Sequence, residues 1–352
     1  MAVFVCAGCD AVLTAQVSRV ALPAEVHQIW GNGTLLPVLM EAGTYAVDLE
    51  PSGPPWRRWD EIGADEAAER GVYAPVFALS YGAPGAVFVA PGDTRGTVLI
   101  PERCGGFCCG LDGRDGPNLA CERCGRAVAT RIDDCSYWQS VRLDPEAVRG
   151  VPAEDVAPEA DSWQALTEPR DRTPRVDQCG RWSPRWAAAA AVTLAHLLAA
   201  SDGAPVAVPD GPVADLFRHA LDTLLPAGRP ARTAALAGPS LPAPDPEVDI
   251  ALVPTHPRTG RTWQSPGTVA VPLAGDIWTQ LVSPQRQLPI PVAGGMPDGV
   301  FRDDPLPLHP HTLFRPDWGV FLHTLARLPA VRERWLREIH ERVRNRPYAD
   351  PF

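Results

Sequence analysis

Cys6-Ala7-Gly8-Cys9 and Cys121-Glu122-Arg123-Cys124-Gly125 are the two stretches on which the fold of this chain turns. Val3-Phe4-Val5 precedes the first, and Ala11 to Val20, rich in β-branched residues, follows it, so this CxxC pair sits in a strand–turn–strand setting. Two such turns supply four thiolates, the complement of a tetrahedral structural zinc site. Residues 10–120 lie between them. If the halves meet on one metal, everything between becomes a loop closed by that metal.

The first stretch resembles the knuckle half of a zinc ribbon or rubredoxin-like site, and the residues around Cys121 resemble the other half. The resemblance implies a metal held by Cys6, Cys9, Cys121 and Cys124, with backbone N–H groups aimed at the thiolates. Small residues such as Ala7 and Gly8 would permit that approach. It implies no activity, and it is confined to the N-terminal part of the chain. No family covering the whole chain is identified from its motifs.

Just before the second half-site runs Cys104-Gly-Gly-Phe-Cys108-Cys109-Gly110, and Asp133-Asp134-Cys135 lies beyond it. Three of Cys104, Cys108, Cys109 and Cys135 with one further ligand could make a second zinc site. The fourth place could fall to the remaining cysteine, to Asp112 or Asp133, or to a distant histidine such as His27. Thiolates also hold iron–sulfur clusters, but the spacing CxxxCxxC is broken because Leu111 stands where the third cysteine belongs. The adjacent Cys108–Cys109 pair also admits a redox role. Glycines at 105, 106, 110, 113 and 116 call for tight turns, and a polar loop of this length needs a clamp to be ordered.

Composition narrows the function classes. All 32 basic residues are arginine. Without lysine there is no P-loop, Schiff-base or kinase-type lysine. With only Asn32, Asn118 and Asn345 as asparagines, the bias is that expected of a GC-rich, actinobacterial type of genome. The 40 prolines are roughly twice the usual share and favour short elements joined by ordered loops. The net charge of −10 is concentrated early, with 12 arginines against 19 acids in residues 1–150. Such a module is a poor match for a phosphate backbone, which disfavours nucleic-acid binding. No basic, apolar leader opens the sequence and no apolar run reaches membrane-spanning length. The expected setting is therefore cytoplasmic, with reduced, metal-bound cysteines and no membrane partner.

The expected fold class is α+β. Residues 1–145 form a β-rich zinc-ribbon-type domain with an antiparallel sheet inserted between the half-sites. Residues 146–180 form an acidic, proline-containing linker, and residues 181–352 a small α/β-helical domain. Within the first, Asp60 to Arg70 predicts a short helix, and Val72–Ser80, Ala86–Ala90 and Thr97–Ile100 predict strands. Trp56 and Trp59 pin a proline-rich loop or offer a stacking platform. In the last domain, Ser183-Pro184 predicts a helix start and Asp210 a cap for a helix with Val213, Leu216, Phe217, Ala220, Leu221 and Leu224 on one face. Strands are predicted at Pro205–Pro209, Asp249–Val253 and Thr268–Pro272, and helices near Asp276–Val282, Trp318–Leu328 and Ala330–Arg344. Val331, Trp335, Ile339 and Val343 form the apolar stripe of the last.

Catalytic signatures are missing from the sequence. His-x-Glu with Pro-Cys-x-x-Cys, HExxH, Gly-x-Ser-x-Gly and GxGxxG do not occur. The expectation is a zinc-stabilised, non-catalytic interaction protein with one zinc and room for a second, compatible with a protein partner. The alternative is a metal-dependent, hydrolase-like enzyme with a pocket between the domains, drawing on Asp133, Asp134 or the loop carrying His309 and His311. The loops carrying Asp303, Asp304, His309, His311 and His256 to Arg261 could also form a hydrolytic or ligand-binding pocket within the second half, or be ordinary surface turns. Cys179 is expected to be a packing residue.

Overall fold

The computed structural model describes residues 1–29, 36–106, 108–153, 162–166, 173–176, 181–283, 312–345 and 351. The fold is α+β, with strands dominating the first part and helices gathering toward the end. Two compact units divide it. The first comprises Met1–Gly71, Pro75–Asp161 and Arg258–Gly260; the second comprises Val72–Ala74, Ser162–Pro257 and Arg261–Phe352.

The strands of the first unit are β1 (Ala2–Cys6), β2 (Ser18–Arg19), β3 (Thr44–Asp48), β4 (Trp56–Arg58), β5 (Ala78–Ser80), β6 (Ala86–Val89), β7 (Thr97–Leu99), β8 (Leu119–Cys121), β9 (Ala127–Ile132), β10 (Ser140–Leu143) and β11 (Val148–Pro152). Seven of them make one sheet in the order β2-β3-β6-β10-β9-β8-β7. Its pairs are antiparallel except β2 with β3. An antiparallel sheet inserted between the half-sites was expected. The sheet instead takes β2, β3, β6 and β7 from between them, and β8, β9 and β10 from the second half-site onward. β1 pairs antiparallel with β11, with Cys6 opposite Val148. β11 thus lies within the stretch read from sequence as linker, and it is ordered by pairing across the unit.

Alternation along β6 shows where the cores lie. Val87 and Val89 join Phe4, Cys6, Leu13, Val17, Cys121, Val128 and Leu143, whereas Ala86 and Phe88 join Leu36, Leu39, Met40 and Trp138. Successive side chains of a strand point to opposite faces, so the sheet is covered on both faces here. Trp138 donates its indole N–H to Gln28 Oε1 at 3.0 Å, which satisfies the polar atom of a buried ring. Helices α1 (Trp59–Ile62) and α2 (Ala64–Glu69) replace the single helix expected over Asp60 to Arg70. Gly63 divides them at φ +63°, a conformation glycine adopts readily. Trp56 is exposed and Trp59 half-buried.

The second unit holds α3 (Pro184–Ser201), β12 (Val206–Ala207), α4 (Pro212–Leu224), β13 (Arg232–Leu236), β14 (Ile250–Thr255), β15 (Val269–Ala274), α5 (Gly275–Val282), α6 (Trp318–Arg327) and α7 (Arg334–Arg344). Its four strands are parallel and lie in sequence order, β12 to β15. α4 crosses over from β12 to β13, and α3 packs on β15 and α6. β14 is buried through nearly its whole length, as its continuous apolar run requires of a parallel strand covered on both faces. α4 buries all six residues of the predicted apolar face.

Three local details depart from the sequence reading. Gly211, not Asp210, caps α4, and Asp210 accepts from Arg218 at 2.7 Å instead. The strand predicted over Val72–Ser80 survives only as β5; Tyr73 joins the second unit, its N–H donating to Ala326 O at 2.7 Å. In the last stripe Val331, Ile339 and Val343 are buried, but Trp335 is half-buried and lies over Gly203. Among the described residues no helix is long and apolar enough to cross a membrane.

Candidate metal centre

Cys6 ends β1 and Cys121 ends β8. From each, the chain makes the same turn. In the first, Asp10 N–H donates to Cys6 O at 2.9 Å and Cys6 N–H donates to Ala11 O at 2.9 Å. In the second, Gly125 N–H donates to Cys121 O and Cys121 N–H to Arg126 O, both at 2.8 Å. Both turns close through a left-handed residue, Asp10 at φ +58° and Gly125 at φ +74°. Glycine is the obvious choice there. Aspartate is among the few other residues that tolerate it, which hid the equivalence of Asp10 and Gly125 in the sequence.

The two turns bring all four sulfurs within 4.8 Å of one another. Cys6 Sγ lies 3.6 Å from Cys124 Sγ, and Cys9 Sγ lies 3.6 Å from Cys121 Sγ, so each close pair joins one turn to the other. A tetrahedral ion with metal–sulfur bonds of about 2.3 Å has sulfur–sulfur edges of about 3.8 Å. The cluster therefore has the dimensions of a four-thiolate metal site. Cys6 and Cys121 are fully buried in the core, Cys9 is half-buried and Cys124 exposed.

Backbone donors face the sulfurs. The Gly8, Ala11 and Arg126 N–H groups hydrogen-bond Cys6, Cys9 and Cys124 respectively. A β-carbon on Gly8 would meet only ordinary contacts at 3.6–3.8 Å, so close approach does not demand glycine at this position. The N–H from Arg126, followed by neighbouring thiols, draws Cys124 down to about 7. At Cys9 the Ala11 N–H acts the same way, but desolvation and the thiols of Cys124, Cys121 and Cys6 override it and push the group up to about 12. Burial raises Cys6 against the pull of Gly8. Cys6 and Cys9 thus resist ionisation, and a bound cation is what would favour their charged forms.

A divalent ion with four thiolates leaves two negative charges, and arginines surround the turns. Arg123 donates to Cys9 O at 3.1 Å, the Arg126 stem lies by Gly8, and Arg149 pairs with Asp10 at 2.6 Å. None of Asp10, Arg123, Arg126 or Arg149 was singled out from sequence. Only the Cys-x-x-Cys-x-Arg pattern after Cys121 could have pointed to one of them.

A second thiol group forms nearby in the chain. The sulfurs of Cys108, Cys109 and Cys135 lie within 4.8 Å of one another, with 3.4 Å between Cys135 and Cys108. Cys104 is not in this group; its thiol donates to Ile100 O at 3.1 Å. Asp134 is buried, and its carboxylate accepts from the N–H groups of Cys109, Gly110 and Ser136 at 3.0–3.1 Å. Desolvation works to raise Asp134, but these three donors prevail and hold it below the usual carboxylate range. Asp133 pairs with Arg131 at 3.0 Å, and Asp112 accepts from the Arg114 N–H at 3.0 Å. His27 ends a short 3-10 turn and belongs to neither thiol group. Buried His256 packs edge-on against Trp163. Cys179, Asp303, Asp304, His309 and His311 lie outside the described residues.

No protein-family profile, curated protein or solved structure matches this chain. The case for a metal-binding module, compatible with a zinc ribbon, therefore rests on the cysteine geometry itself.

Proposed function

We propose that Cys6, Cys9, Cys121 and Cys124 hold a structural zinc ion, and that the chain is a zinc-stabilised, non-catalytic protein whose role is to bind a protein partner. The observation that carries this reading is the repeated turn geometry. Two segments remote in sequence make the same backbone hydrogen bonds and close four thiols into one tetrahedron-sized group. Sulfur-only ligation suits zinc, and a site closed by four protein ligands is the structural rather than the catalytic form. The nearby acids that an enzyme would draw on are spent on structure, Asp134 on three backbone donors and Asp133 on Arg131.

Such an ion is a clasp. It ties β1 to β8 at the edge of the core formed by Phe4, Leu13, Leu119 and Val128. Elemental analysis of the purified chain tests the proposal. The expected result is at least one zinc per chain, with one equivalent lost and the first unit destabilised in Cys121→Ser. Less than one zinc per chain, unchanged by that substitution, would refute it.

A further inference from the structure

The second thiol group is built differently from the clasp. Cys108 and Cys109 are exposed and only Cys135 is buried. Backbone packing fixes the segments that carry them. A β-carbon on Gly110 would fall 1.8 Å from Asp133 O, and one on Gly106 would fall 1.5 Å from Gly110 O, so the loop before β8 packs backbone to backbone on itself and on the segment after β9. Leu111 and Asp133 exchange both backbone hydrogen bonds, at 2.8 and 3.1 Å. The Asp134 carboxylate joins the Cys109–Gly110 segment to the turn at Ser136. Finally, Cys135 N–H donates to Cys109 Sγ at 3.2 Å, which ties the two cysteines together directly. The two segments are thus fastened together so that they present three sulfurs side by side.

Among the described residues, the cysteine and acids neighbouring this group in the chain are engaged elsewhere. Cys104 donates to Ile100 O, Asp112 is held by Arg114, Asp133 by Arg131, and Asp134 by three backbone donors. From this we infer that Cys108, Cys109 and Cys135 form a second, solvent-open site for a soft d10 metal ion, held by three thiolates with one coordination position left to a ligand from outside the chain. Thiolates select zinc or monovalent copper among the available ions. On binding, the three thiols give up their protons to solvent and three metal–sulfur bonds form, with no change of oxidation state. A water, a small thiol or an imidazole could complete the shell. Sites with such an open position are where metal exchange and ligand chemistry occur. This inference does not depend on the clasp, since the two groups share no residue.

Metal titration of the full-length chain, reduced and handled without oxygen, tests it. Loaded with zinc, the wild type should hold two equivalents. Cys109→Ser, at an exposed position where folding is not at stake, should hold one, and Cys135→Ser should do the same. Cys124→Ser should lose the other equivalent while keeping the one that Cys109→Ser lacks. With cobalt(II) in place of zinc, the absorption that Cys109→Ser removes should shift when imidazole or a small thiol is added. A parallel arm with monovalent copper, read by competition with a copper-specific chelator, distinguishes the two ions: copper bound in preference to zinc at this group identifies the site as a copper site. A second equivalent that persists when Cys109 and Cys135 are both replaced would overturn the inference, as would its absence from the wild type with both ions. A cobalt spectrum indifferent to added ligands would overturn the open position.

Discussion

Stripping the clasp of its ion should loosen a defined set of amides, and the size of the effect follows from the chain it closes. An ion shared by Cys9 and Cys121 cross-links a loop of about 110 residues, which removes about 5 kcal/mol of chain entropy from the unfolded state. Metal–thiolate bonding adds to this, so about 5 kcal/mol is the smaller part of what metal should contribute. The amides to watch are Phe4, bonded to Thr14 Oγ1, and Cys6 and Cys121, bonded to Ala11 O and Arg126 O. They lie at the clasp and in the strands it joins. In the metal-free chain, prepared with a chelator under reducing conditions, their hydrogen exchange should accelerate by roughly a thousandfold or more, since about 1.4 kcal/mol is a factor of ten. Exchange in α4 and β14 of the second unit serves as the internal reference. Protection of Phe4, Cys6 and Cys121 that changes by less than about tenfold would refute the reasoning, because the turns would then be held by packing alone.

Three further predictions concern the second unit, the Asp134 segment and the two glycine turns. His340 is buried with Nδ1 lacking a hydrogen-bond partner, and desolvation, with Arg344 and Arg337 beside it, lowers it from 6.5 to about 4. Below pH 6.5 the unfolded chain therefore takes up a proton that the folded one refuses, so the second unit should lose up to about 3 kcal/mol between pH 6.5 and 4. Denaturant titrations should show this loss flattened in His340→Leu, and parallel curves for variant and wild type would contradict it. Asp134→Ala strands three backbone donors and should cost about 3 kcal/mol, with Asp134→Asn milder, as read by denaturation and by exchange at Cys109, Gly110 and Ser136. Gly110→Ala should destabilise by about 2 kcal/mol or more, because its β-carbon meets backbone that has nowhere to go. Gly125→Ala should cost only about 1 kcal/mol, since φ +74° is disfavoured but the space is open; thermal melts of the two variants give the comparison.

What the sequence made legible is local. CxxC spacing marked both half-sites, a 3.6-residue period marked α4, and the unbroken apolar run at Ile250–Val253 marked β14, because each is written in neighbouring residues. What it hid depends on distant partners. β11 is a five-residue strand whose pairing with β1 has no signal within Val148–Pro152, and Val72–Ala74 reads as strand yet serves the second unit. Asp210 carries the chemistry of a cap, but Gly211 takes the position and the carboxylate goes to Arg218. At the metal centre the ligands were legible and their supports were not. Asp10 matches Gly125 only in backbone conformation, and Asp134 acts through N–H groups some 25 residues away in the chain.

The two thiol groups differ in what their metal would control. Cys6 and Cys121 lie in the same core as Leu13, Leu143 and Val148, so emptying the clasp leaves crowded thiols inside the packing of the sheet. Cys108 and Cys109 before β8 and Cys135 after β9 sit on two loops that already have their own fastenings in Asp134, the Leu111–Asp133 bridge and the glycine contacts. An ion there adds little that the backbone of these two loops does not supply. Rising chelator concentration should consequently act in two stages. The open group should empty first, with the sheet intact by circular dichroism, and the clasp later, together with the loss of protection in β1 and β8. The order follows from exposure and from what each ion holds together: one serves a pair of surface loops, the other the fold. If both ions left together with a single loss of structure, the second group would be part of the fold's support.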